Sequence, residues 1–86
     1  MGSVAITYRL MPEDAGTDLR PIKEGIKKAL GPALRGMQEK DVAFGLRAIL
    51  ALAVVDDASG AGERLESALG AIPGVSSVEA IDVTLV

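Results

Sequence analysis

Residues 4–10 run Val4-Ala5-Ile6-Thr7-Tyr8-Arg9-Leu10, with the large apolar side chains at every second position. That is the period of a strand with one buried face. Met11-Pro12-Glu13-Asp14-Ala15-Gly16 then has loop chemistry, and Thr17 or Asp18 supplies a helix N-cap. Leu19, Ile22, Ile26 and Leu30 recur at three- and four-residue steps, while Arg20, Lys23, Glu24, Lys27 and Lys28 take the other side. Pro21 lies in the first turn, where its missing N–H costs little, and Gly31-Pro32 is a stop signal. The spacing therefore predicts a helix over 18–30.

Residues 34–42 are polar with weak alternation, and Arg35, Glu39, Lys40 and Asp41 suit an edge strand guarded by charge. After a connection at Ala43-Phe44-Gly45, residues 46–55 are apolar at almost every position beyond Arg47. A strand apolar on both faces belongs in the middle of a sheet, with one face under helices and the other covered or used to meet a partner. The outward face is read as Ile49, Ala51, Ala53 and Val55. Residues 56–60 make a turn, Leu65, Ala68, Leu69 and Ile72 mark a second amphipathic helix, and Pro73-Gly74 ends it. Val75, Val78, Ile81, Val83 and Leu85 form a last strand whose alternation slips near Ala80, as at a bulge.

The order strand, helix, strand, strand, helix, strand predicts an α+β, ferredoxin-like βαββαβ fold: a four-stranded antiparallel sheet with both helices on one face and the first and third strands central. With 86 residues and no repeat, low-complexity stretch or linker, the whole span 1–86 is expected to be one domain. A domain of this size buries about 60–65% of its unfolded surface, enough to fold alone.

Composition narrows the chemistry. Hydrophobic residues make up 49% of the chain, yet there is one Phe, one Tyr and no Trp, so the core must be aliphatic. The absence of Cys and His removes disulfides, thiolate and imidazole catalysis and the usual zinc or copper ligands. A net charge of −3 argues against binding a phosphate backbone, and Tyr8 alone on the central strands does not make a base-stacking platform. No apolar run approaches the ~20 residues of a membrane span, and the N-terminus has no signal-peptide pattern, so a soluble cytoplasmic protein is expected. Glu13-Asp14 and Asp56-Asp57 are the remaining candidates for an acid/base or hard-metal site, but both sit at element ends, where such residues ordinarily cap and turn. Gly60-Ala61-Gly62 lacks the following Gly and Lys of a phosphate loop. No catalytic residue, metal site or cofactor is expected.

Phe44 stands out because the single Phe of the chain falls on a hairpin connection rather than in a strand. Two roles fit it: an anchor for another surface, or a plug folded back on the end of the core. Arg47, entering an apolar strand, is either a solvated strand end or a charged contact beside the Phe.

Met11-Pro12-Glu13-Asp14, Ala43-Phe44-Gly45-Leu46-Arg47-Ala48-Ile49 and Pro73-Gly74-Val75-Ser76-Ser77-Val78-Glu79, with Asp82-Val83 beyond, resemble archaeal elongation factor 1-beta in order and spacing over nearly the whole chain. The Phe-Gly-Leu-Arg-Ala-Ile stretch is the specific part. The resemblance implies a non-enzymatic exchange factor that binds elongation factor 1-alpha, disturbs its magnesium and phosphate site and exchanges GDP for GTP. Binding preferentially to the nucleotide-free partner weakens its nucleotide by the same factor. Through the eukaryotic relatives the resemblance further implies that Phe44 wedges into the GTPase. The expected partner-binding residues are Phe44, Gly45, Leu46, Arg47 and Lys40, and exchange rests either on Phe44 with Arg47 or Lys40 supplying charge or on an indirect distortion of the magnesium ligands. The Lys near the C-terminus that reaches toward the magnesium site in eukaryotic relatives has no counterpart here, since the last basic residue is Arg64. A ligand-sensing or oligomerising module is the competing expectation. It predicts a tight dimer, whereas the exchange factor is expected to be a monomer.

Overall fold

Burial alternates without interruption along the first strand, β1 (Ser3–Pro12), with Val4, Ile6, Tyr8, Leu10 and Pro12 turned inward. The computed structural model describes residues 2–56 and 60–85, with the backbone alone at Phe44 and Ala61. β1 is followed by helix α1 (Leu19–Leu30), β2 (Leu34–Asp41), β3 (Arg47–Asp56), helix α2 (Ala61–Gly70) and β4 (Val75–Leu85). The strands form one four-stranded antiparallel sheet in the order β2-β3-β1-β4. The predicted ferredoxin-like order is present, with β1 and β3 central and β2 on an edge.

Each boundary has a local cause. Asp18 caps α1 by accepting the Arg20 N–H at 3.0 Å. The helix stops at Gly31, whose φ of 52° is open to a residue without a side chain. Ile22, Ile26 and Leu30 lie buried on one stripe of α1, each contributing on the order of 1.5–3 kcal/mol by leaving water. They meet Leu69 and Ile72 from the α2 side and Tyr8, Leu10, Ile49, Ala51 and Ala53 from the sheet, which places both helices on one face.

That arrangement corrects the face assigned to β3. Ile49, Ala51 and Ala53 are fully buried under the helices, paired with Leu10, Tyr8 and Ile6, and Val55 pairs with Val4 on the same side. The outward face of β3 is instead Leu50, Leu52 and Val54, opposite Arg9, Thr7 and Ala5. The alanines belong inside because the space beneath the helices is already filled by Tyr8, Ile22 and Ile26.

The slip in β4 is a bulge at Ile81: Asp82 pairs with Thr7 and Ala80 with Tyr8, leaving Ile81 unpaired between them. The bulge returns Val83 and Leu85 to the face of Ile6 and Val4. Among the described residues no helix is long and apolar enough to cross a membrane.

Candidate functional site

The β2–β3 hairpin ends in a tight turn at the end of the sheet where α1 begins. A single 3-10 turn, Ala43–Gly45, connects the strands; it is closed by the Val42 N–H donating to the Leu46 carbonyl at 2.8 Å and the Leu46 N–H to the Ala43 carbonyl at 3.3 Å. Gly45 has φ of 76°, a left-handed conformation that an alanine enters only at a cost of about 1–2 kcal/mol. A Cβ at Gly45 would lie 3.9 Å from the Ala15 Cβ, so the turn sits beside the β1–α1 loop. Leu46 is half-buried, and Ala43 and Gly45 are exposed on either side of Phe44. The Phe44 side chain lies outside the described atoms, and its backbone is the middle of the turn.

Strand alternation separates the two basic residues proposed for the site. Asp41 pairs with Arg47 and Glu39 with Ile49, on the helix side of the sheet, whereas Lys40 pairs with Ala48 and points to the other side. Arg47 donates from Nη1 to Glu39 Oε1 at 3.5 Å and lies 3.4 Å through Nε from Asp41 Oδ1. The other Glu39 oxygen takes Lys23 from α1. These contacts, Lys23 foremost, hold the Glu39 carboxyl below the usual glutamate range. Among the described residues no ion pair engages Lys40. Of the two basic residues, Arg47 is thus engaged by Glu39 and Asp41, and Lys40 is not ion-paired among the described residues.

A polar cleft of about 470 Å³ opens between this turn and the start of α1, with Asp18, Arg20, Lys23, Glu39, Gly45 and Arg47 among its walls. Arg20 folds back on its own cap, giving Nε to Asp18 Oδ1 at 3.2 Å and Nη2 to Oδ2 at 3.1 Å, which lowers the Asp18 pKa. Asp14, one of the candidate acids, organises the loop: its Oδ1 accepts the Gly16 N–H at 2.8 Å, and its own N–H donates to Thr17 Oγ1 at 3.1 Å. Its partner in that pair, Glu13, donates its N–H to the Gly74 carbonyl at 3.1 Å. Asp56 ends β3, and Asp57 lies outside the described residues.

Lys23 and Glu39 were not singled out by sequence. Lys23 looked like one of several solvated cations on α1, and Glu39 like edge-strand charge; their contact spans 16 residues and appears only when β2 folds beside the helix.

Residues 5–86 match the family of the EF-1 guanine nucleotide exchange domain. Elongation factor 1-beta of Methanoregula boonei is 45% identical over 85 residues, covering 99% of both chains. The elongation factors 1-beta of Archaeoglobus fulgidus and Methanothermobacter thermautotrophicus are 41% and 40% identical, over 99% and 96% of this chain and the same shares of theirs. This chain belongs to the archaeal elongation factor 1-beta family and carries its guanine nucleotide exchange domain.

Proposed function

We propose that this chain binds elongation factor 1-alpha in the cytoplasm and promotes exchange of its GDP for GTP, acting as a monomer through the turn that carries Phe44. The observation that carries the reading is the match to the exchange domain over residues 5–86. No bond of a substrate is made or broken. The factor favours the nucleotide-free partner, and linkage requires it to loosen GDP by the same factor.

The geometry gives the turn the form of a preorganised probe. Two backbone hydrogen bonds and the left-handed Gly45 fix its path before any partner arrives, so little ordering is left to oppose binding. Phe44 at its middle is the anchor, Leu46 follows it at the close of the turn, and Lys40 presents a positive charge on one flank. Arg47 contributes by holding the base of the hairpin.

The test is release of labelled GDP from a matching archaeal elongation factor 1-alpha at physiological magnesium. Catalytic amounts of this chain accelerate release, and Phe44→Ala reduces the acceleration by about tenfold or more, the scale of a hot-spot aromatic, while the circular dichroism and unfolding midpoint stay near the parent's. No acceleration with an active partner overturns the reading. A strongly unfolded Phe44→Ala variant makes Phe44 a core plug instead. Sedimentation at low micromolar concentration gives a monomer; a tight dimer would revive the oligomerising module.

A further inference from the structure

Glu39 touches two elements at once, and the fold needs neither contact for its core. From β2 its Oε2 takes Lys23 of α1, and its Oε1 takes Arg47, the first residue of β3. Arg47 continues the chain to Asp41, the last residue of β2. One carboxylate thus fastens both arms of the hairpin, immediately below the turn, to the helix beside them. β2 is an edge strand bonded to β3 alone, so on its other side nothing in the sheet limits how the hairpin end tilts.

The side chains of Lys23 and Glu39 are 32% and 33% exposed, and that of Arg47 is 62% exposed. Ion pairs this open to solvent add little to global stability. Their directional effect survives, because a carboxylate held by two cations from different elements has few alternative placements. The cleft between α1 and the turn leaves room for the hairpin end to move when the link is cut.

From this geometry we infer that Glu39 is a positioning residue: it sets the orientation of the 42–46 turn against α1, and through it the presentation of Phe44 to the GTPase. The second half of that statement rests on the exchange reading above; the first half does not.

The test uses Glu39→Gln, which keeps the side chain's shape and removes its charge, together with Lys23→Met and the double variant. Amide hydrogen exchange reads the turn directly. Protection of the Val42 amide falls about threefold in Glu39→Gln, the scale of one or two half-exposed ion pairs, while β1 and β3 amides keep theirs. GDP release at limiting factor slows about threefold through a higher KM, and the unfolding midpoint stays in place. In the Lys23→Met background the same substitution has a smaller effect than alone, because the link is already broken. Parent-like Val42 protection in Glu39→Gln overturns the inference, as does full additivity of the two substitutions. If the parent chain fails to accelerate GDP release, the exchange reading falls, and the amide measurement still decides whether Glu39 holds the turn.

Discussion

The Tyr8 hydroxyl donates a 2.8 Å hydrogen bond to the carbonyl of Gly62, joining the middle of the central strand to the first turn of α2 across 54 residues of sequence. Tyr8 is 1% exposed, so the bond fixes where α2 starts on the sheet at a point where water cannot readily replace it. Tyr8→Phe removes the hydroxyl, keeps the ring and takes the side-chain donor away from the Gly62 carbonyl. The expected cost is about 1 kcal/mol in a urea titration, with an unchanged m-value.

The same environment governs how Tyr8 ionises. Burial, reinforced by the Glu66 charge, raises its pKa above the usual tyrosine value of ~10. A group whose folded pKa is raised contributes stability that is complete below the unfolded pKa. That contribution is lost as pH rises through the folded value. The fold should therefore weaken in the alkaline range above ~10, and tyrosinate should form later than in the denatured chain. With one Tyr and no Trp in the sequence, near-ultraviolet absorbance during an alkaline titration reports this residue alone.

Two helical glycines respond oppositely to alanine. A Cβ at Gly25 would stand 2.8 Å from Ile72 Cγ2, a branch fixed at the Ile72 Cβ that cannot rotate clear while the side chain stays buried. The gain of about 0.5–1 kcal/mol in helix propensity is outweighed by overpacking of about 1–3 kcal/mol, so Gly25→Ala loses about 1 kcal/mol. At Gly70, near the end of α2, a Cβ meets open space among the described residues. Gly70→Ala should gain a few tenths of a kcal/mol, up to about 0.5, through the unfolded chain. Thermal unfolding of the two variants in parallel checks both signs, and a stabilised Gly25→Ala would contradict the close approach of α1 to Ile72, just past the end of α2.

Much of this architecture was legible because single residues carried it. Asp18, Pro21 and Gly31 bounded α1, the alternation from Val4 to Leu10 oriented β1, and the phase slip near Ala80 announced the bulge at Ile81. β3 failed for a physical reason: with Ile49, Ala51, Ala53 and Val55 on one face and Leu50, Leu52 and Val54 on the other, hydrophobicity does not choose between them. The choice is made by volume, since the helices leave space for alanine there and the larger leucines turn outward. At the hairpin, the turn residues were visible as a chemical oddity. The ion pairs of Glu39 were not, because pairing between an α1 cation and a β2 acid depends on a register that no local pattern states.

Lys40 offers the sharpest separation between a contact residue and a structural one. It sits on the face opposite Arg47, directly across from Ala48, and no ion pair holds it among the described residues. Lys40 is itself exposed, and replacing it with alanine should leave the unfolding free energy within about 0.5 kcal/mol of the parent's. A charge at the rim of an interface acts mainly on encounter and is screened by salt. Lys40→Ala should therefore raise the factor concentration needed for half-maximal GDP release about two- to threefold at low ionic strength, and the difference should shrink toward that of the parent as salt is added. Arg47→Ala should behave differently: its loss frees Glu39 and Asp41, loosens the Val42 amide, and lowers exchange to an extent that added salt does not erase. Equal, salt-independent losses in both variants would mean that Lys40, too, acts through the shape of the hairpin rather than through its charge.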